Sequence, residues 1–186
     1  MFYKAETSIP GLFKILPEVH SDSRGMFVKT FQKPVFEEFG INSSFPEEFL
    51  TTSKKNVIRG MHFQVPPDAQ SKIVNCVYGE VYDVVLDIRN GSPTFGKSIV
   101  FILKGLEPCS LFIPPGLAHG FCVLSSWAVL SYKVSSLYSP KNDLGIHWKS
   151  INVDWPTNFP IVSDRDKLHP SLQTFKSPFT YEPSLR

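Results

Sequence analysis

Four short stretches of the chain carry side chains that can move a proton or hold a cation. Arg59-Gly-Met-His62-Phe-Gln64 is an apolar strand pattern interrupted by one arginine and one histidine. Pro114-Pro-Gly116-Leu-Ala-His119 presents a second histidine just after a tight turn. Leu130-Ser-Tyr132-Lys133 sets a phenol in phase with Ala128 and Leu130, and Val162-Ser-Asp-Arg165-Asp166 gathers two acids and an arginine in a Pro-rich tail. An imidazole titrating near neutrality can accept a proton, return one, or ligate a metal. Taken singly, each stretch also has a plain structural reading: a satisfied core histidine, a core tyrosine, a solvated turn. Strict alternation puts His62 on one face with Ile58 and Gly60 and sends Arg59 and Met61 to the other.

The elements that must position these groups read as strands. In Glu80–Arg89 one face is Tyr82, Val84, Leu86 and Ile88, while the other mixes Val81, Asp83, Val85 and Asp87, as a barrel lumen would. Further strands are predicted over 97–103, 111–113, 120–124 and 128–134, with turns at Gly91-Ser-Pro-Thr and around Gly105. Pro10-Gly11 and Asp22-Ser-Arg-Gly25 mark turns between earlier strands, and Lys33–Phe39 is the best short helix. The last fifty or so residues are Pro-rich and expected to wrap the barrel. This rhythm implies an all-β, antiparallel barrel or jelly roll with a few short helices, formed by residues 1–186 as one domain. Pro-x-Gly-x-x-His119 matches the second signature of cupin barrels. Where the first signature would supply a His-x-His pair, the chain offers His62 and then Gln64. That is too few donors for a transition metal, so a metal-free barrel is expected, with His62, His119 and Asp83 as the alternative set.

Composition narrows the function. A net charge of +2 with no basic run argues against nucleic acid but suits one small anion. Cys76, Cys109 and Cys122 are an odd, widely spaced set, neither a disulfide framework nor a zinc pattern. With no secretory leader and no bilayer-length apolar segment, a cytoplasmic protein without membrane contact is expected.

In combination the motifs are specific. Asp22-Ser-Arg-Gly-Met-Phe27, Lys54-Lys-Asn-Val-Ile-Arg-Gly-Met-His-Phe-Gln64, Lys72-Ile-Val, Gly79-Glu-Val-Tyr-Asp83, Asp87–Gly96, Ile113–Phe121, Tyr132-Lys133, Tyr138-Ser-Pro140 and Ser163-Asp-Arg-Asp166 occur in this order along nearly the whole chain. The chain thereby resembles the dTDP-4-dehydrorhamnose 3,5-epimerase family. The resemblance implies a cofactor-free isomerase that removes a proton beside the C4 ketone of a nucleotide-linked 4-keto-6-deoxyhexose and reprotonates the opposite face. By matching positions, His62 is the base, Asp166 its orienting carboxylate, Tyr132 the acid and Lys72 the charge near the enolate oxygen. Arg59, His119 and a partner-supplied Arg24 would meet the diphosphate, and Phe27 and Tyr138 would sandwich the base. Asp83 would keep the histidine or lysine network in register, and Glu47 and Arg165 join the substrate-binding set. A homodimer with exchanged N-terminal strands is implied, as are deoxysugar and O-antigen biosynthesis.

Two positions depart from the family pattern. Lys29 stands where a glutamate is usual, and Glu47-Glu48-Phe49 replaces Gln-x-Asn. An ammonium only donates hydrogen bonds, so Lys29 would favour cytosine over thymine if it reached the base, which opens a CDP carrier beside dTDP. Inversion at C3, C5 or both stays open. The rival readings are a 3,4-ketoisomerase, a metal-dependent cupin enzyme and a non-catalytic sugar-nucleotide binding barrel.

Overall fold

A computed structural model describes residues 1–42 and 44–183. The chain runs through β1 (Phe2–Glu6), β2 (Phe13–Pro17), β3 (Val19–Asp22), β4 (Gly25–Val28), α1 (Lys33–Glu38), β5 (Glu47–Lys54) and β6 (Val57–Gln64). It continues through β7 (Lys72–Tyr78), β8 (Glu80–Asp87), β9 (Ser98–Lys104), β10 (Ser110–Ile113), β11 (Leu117–Val123) and β12 (Trp127–Val134). The tail holds β13 (Asp143–Gly145), a 3₁₀ turn (Trp148–Ser150), β14 (Ile161–Val162) and α2 (Asp164–Lys167).

Two sheets face each other. One has the order β1-β2-β10-β7-β12-β5 and the other β13-β6-β11-β8-β9. Period-2 alternation drives this arrangement. On β8, Val81 and Val85 turn into the space between the sheets and meet Val74, Leu111, Leu130 and Tyr132, while Val84 and Leu86 turn outward. Each outward face has its own cover. Phe36 of α1 and Ile41 close over Phe13, Ile15 and Ile73. The tail lays Ile146, Ile151, Phe175 and Phe179 over Met61, Phe63, Leu86 and Ile88. The expected all-β barrel, short helix and wrapping tail are therefore all present.

The tail is more ordered than its lack of periodicity suggests. β13 pairs antiparallel with His62–Gln64, and β14 runs parallel to Val57 and Ile58. Both strands thus use the free edge of β6, and the turn into α2 follows at once.

Candidate active site

The barrel opens at one end into a cavity of about 320 Å³, within the range of small-ligand sites. β5 lends it Glu47, Phe49 and Thr51, three successive in-facing positions of one strand. His119 and Phe121 come from β11, Lys72 from β7 and Tyr132 from β12.

Strand β6 departs from alternation at the point where chemistry is concentrated. Opposite β11, His62 pairs with His119 and Arg59 with Phe121, so three steps on β6 span two on β11. This bulge turns Arg59 and His62 to the same cavity, correcting the expectation that they lie on opposite faces. Met61 still goes outward, into the cluster under the tail. Gly60 makes the bulge possible. Its φ is +134°, and a Cβ there would stand 2.5 Å from Gly120 Cα.

Between the segments of β6 covered by β13 and β14, the Gly60 N–H donates to Asp166 Oδ2 at 3.1 Å. The other oxygen of Asp166 lies 2.8 Å from His62 Nε2. Ser163 fixes the acid by accepting a hydrogen bond from the Asp166 N–H, at 3.1 Å, as the cap of α2. Burial opposes ionisation of Asp166, but the His169 and His62 imidazoles and the Gly60 N–H outweigh it and hold the carboxyl well below its usual range. An ionised carboxylate only accepts, so in the neutral ring the Nε2 of His62 carries the proton and Nδ1 keeps the lone pair. Burial in the cavity lowers the imidazole's pKa, although Asp166 pulls the other way.

Tyr132 is 5% exposed and stacks on Phe49, its cross-strand neighbour, with ring centroids 4.8 Å apart. Burial, then the charge of Asp83, pushes its phenol well above the ordinary value. Lys72 reaches the carbonyl of His62 at 3.3 Å, and burial brings its ammonium down to about 8. His119 is buried with Nε2 committed to Asp83 Oδ2 at 2.7 Å. Asp83 therefore braces His119 and takes no part with His62. Arg59 is exposed and steadied by Ser53, with Nε donating to Oγ at 2.9 Å.

Of the other anticipated residues, Tyr138 joins Glu47 at the cavity, and Arg165, Arg24, Phe27 and Lys29 lie elsewhere. Arg165 is not at the cavity; it grips Asp143 through Nη1 and Oδ2 at 2.7 Å, and Asp143 is the one that lines the cavity. Tyr138 stands at the mouth, and its N–H donates to Glu47 at 2.8 Å. Arg24 and Phe27 sit on the exposed β3–β4 hairpin, apart from this cavity, and Lys29 is exposed just beyond it, beside Glu18, His20 and Gln32.

Sequence reasoning missed Phe49, Thr51, Asp143 and His169. The first two follow Glu47 at period 2 and become visible once 47–54 is read as a strand. Asp143 and His169 carry no local signal, because the tail's path delivers them. His169 also changes the count of donors: His62, Asp166 and His169 have ligand atoms within 4.8 Å of one another, whereas Asp83, the alternative third donor, pairs with His119.

The fold is a barrel of the cupin type, with titratable side chains from both facing sheets meeting at one cavity. The model of the dTDP-4-dehydrorhamnose 3,5-epimerase family matches residues 6–174. The dTDP-4-dehydrorhamnose 3,5-epimerase of Shigella flexneri is 46% identical over 164 residues, covering 87% of this chain and 91% of its own. The crystal structure of a dTDP-6-deoxy-D-glucose-3,5-epimerase from Legionella pneumophila, in complex with dTDP-4-keto-L-rhamnose, superposes with a TM-score of 0.93. It is 35% identical and covers 98% of this chain and 100% of its own. A 3′-monoepimerase from Streptomyces bikiniensis, in complex with dTDP-quinovose, gives a TM-score of 0.86 at 31% identity, with 91% and 88% covered. The chain belongs to the dTDP-4-dehydrorhamnose 3,5-epimerase family, whose members are isomerases.

Proposed function

We propose that this chain epimerises C3, C5 or both in a 4-keto-6-deoxyhexose carried on a nucleoside diphosphate. The observation that carries this reading is the meeting in one cavity of a histidine from one sheet, backed by the Asp166 carboxylate of α2, and a tyrosine from the other sheet. A ketone at C4 acidifies the hydrogens on C3 and C5. Nδ1 of His62 removes one, the electron pair moves into the carbonyl to give an enolate, and Tyr132 returns a proton to the opposite face. The ketone is the electron sink, so the step needs no cofactor. Asp166 stabilises the imidazolium that forms, and Lys72 supplies positive charge to the enolate oxygen. General acid–base transfer contributes typically ~10²–10⁴-fold, and preorganised charge the larger share.

Arg59 is the diphosphate contact best supported, being exposed at the cavity with Nε on Ser53 and Nη2 in a long contact with the Thr52 carbonyl, which leaves Nη1 for phosphate oxygens. His119, whose Nε2 is held by Asp83, would present its remaining edge. Tyr138 would take one face of the nucleobase. The opposite face, and Arg24, would come from the β3–β4 hairpin of a second copy, giving a homodimer with exchanged N-terminal strands. The hairpin's exposure supports this: every residue of β3 is exposed, and so are three of the four in β4. A lone two-stranded ribbon is only marginally stable in water. Three unpaired cysteines fit a reducing, cytoplasmic setting.

The Legionella pneumophila and Streptomyces bikiniensis structures hold dTDP-sugars, which favours dTDP as carrier. Lys29 favours CDP if it reaches the base. Proton NMR in D₂O of dTDP-4-keto-6-deoxyglucose and its CDP counterpart tests both points. Loss of the C3 or C5 signal with enzyme supports the reading and identifies centre and carrier. Two bound, intact and unexchanged sugars would overturn it in favour of a binding barrel.

A further inference from the structure

His169 has no part in the chemistry above, yet its setting is built. In the β13–β6 ladder Gly145 faces His62, and the ring of His169 fills the space that a side chain at 145 would need. A Cβ there would lie 2.4 Å from the ring's Nε2. The imidazole is 11% exposed, and its Nε2 is 3.5 Å from the Asp166 oxygen that also meets His62. That nitrogen is buried, and beyond this long contact with the Asp166 carboxylate it has no hydrogen-bond partner among the described residues. A polar atom left so is costly unless something completes it.

We infer that His62, Asp166 and His169 form a site for a divalent transition cation of the zinc class, and that filling this site reversibly silences the cavity. The silencing rests on the proposed acid–base role of His62; the binding does not. Two imidazole nitrogens and a carboxylate oxygen are a donor set that zinc accepts, at ~2.0–2.2 Å, with a fourth position left open. Donors at such bond lengths around a tetrahedron stand ~3.3 Å apart, and the observed 2.8 Å and 3.5 Å lie on either side of that. On entry of the cation the Nε2 proton of His62 leaves and Nδ1 takes up a proton from solvent, so a neutral imidazole ligates through Nε2 with no net proton released. The second oxygen of Asp166 stays on the Gly60 N–H, the outer-shell bond that orients a metal-binding carboxylate. His62 keeps 29% of its side chain exposed, so water can take the open position from the cavity side. A metal-bound His62 is pinned against Asp166 with its proton on Nδ1, so no lone pair is left to take a proton from carbon. Magnesium and calcium prefer oxygen ligands and should bind poorly.

The test is a titration of chelator-stripped protein with Co²⁺ alone, followed by visible absorption, together with calorimetry using Zn²⁺ and Mg²⁺. One Co²⁺ per chain with a tetrahedral spectrum is expected, with no Mg²⁺ uptake. Losing a direct ligand in H169F or H169Q should weaken binding beyond the ~10–100-fold typical of outer-shell changes. Thermal melts identify the folded variant from which the comparison is drawn. Absence of Co²⁺ and Zn²⁺ binding to wild type up to millimolar concentration, or equal affinity in a folded variant, overturns the site. Zinc should also stop deuterium exchange into substrate, and a chelator should restore it; zinc bound through His169 without loss of exchange overturns the silencing. If stripped protein exchanges nothing even without zinc, the epimerase reading fails, and the cobalt titration still decides the site.

Discussion

Tyr132 and Lys72 are both buried, and burial shifts them in opposite directions, each toward its neutral form. For the tyrosine this is useful, because a phenol held above its ordinary value keeps the proton it must deliver. For the lysine it sets a limit. Its charge is lost as pH rises through about 8, so turnover should fall on the alkaline side with a midpoint there, well before any tyrosine titrates. On the acid side His62 must be neutral. Its lowered pKa carries activity below the ordinary imidazole value of 6.5 before it fails. A pH–rate profile checks both limbs, and K72R should move the alkaline one upward. Stability should run the other way. Between about 8 in the folded chain and 10.5 in the unfolded one, the unfolded state binds the extra proton, so folding stability rises with pH across that window. At pH 7 the buried charge costs stability, and K72M should be more stable by roughly 1–3 kcal/mol in denaturant titration while losing turnover.

The element that positions the site is β6, held on one side by β11 and on the other by two short strands and a helix of the tail. G60A should be more damaging than an ordinary strand substitution. The new methyl meets Gly120 Cα at 2.5 Å, in a conformation L side chains rarely adopt, so chemical denaturation should show a loss on the order of 2–4 kcal/mol. S163A removes the cap of α2 and should cost about 1 kcal/mol, with a larger fall in kcat than in substrate affinity as Asp166 loses its place. Alternation made the barrel legible: β8, β12 and the turn before His119 were readable because one face of each strand is apolar. The same rule misassigned Arg59, since a bulge breaks the period and one sequence does not show where it falls. Asp166 was found only through family resemblance. Its loop reads as a solvated turn, and only the pairing of β14 with Val57 and Ile58 brings it beneath His62. His169 and Asp143 stayed hidden for the same reason, as products of tertiary path rather than local pattern.

At the scale of the whole molecule, one chain brings His62, Lys72 and Tyr132 to the cavity but not Arg24 or Phe27. Arg24 and Phe27 are held out on an exposed hairpin away from the cavity. In the proposed exchanged dimer each cavity is completed by the hairpin of its neighbour. R24A and H62N chains, each weak alone, should then complement when mixed and refolded. Half the dimers are mixed and each has one intact site, so activity should return to roughly a quarter of wild type. Recovery no greater than the sum of the two inactive proteins would mean that Arg24 serves its own chain or none.

The opposed placement of His62 and Tyr132 can be read from one experiment: Y132F and H62N compared with wild type in D₂O, following deuterium at C3 and C5 and the configuration of the sugar. Y132F should still wash deuterium into at least one centre, because His62 can take a proton and return a deuteron on its own face, yet it should invert nothing. H62N should slow exchange by ~10²–10⁴-fold. Inversion by Y132F at the wild-type rate, or undiminished exchange in H62N, would contradict a base on one sheet and an acid on the other.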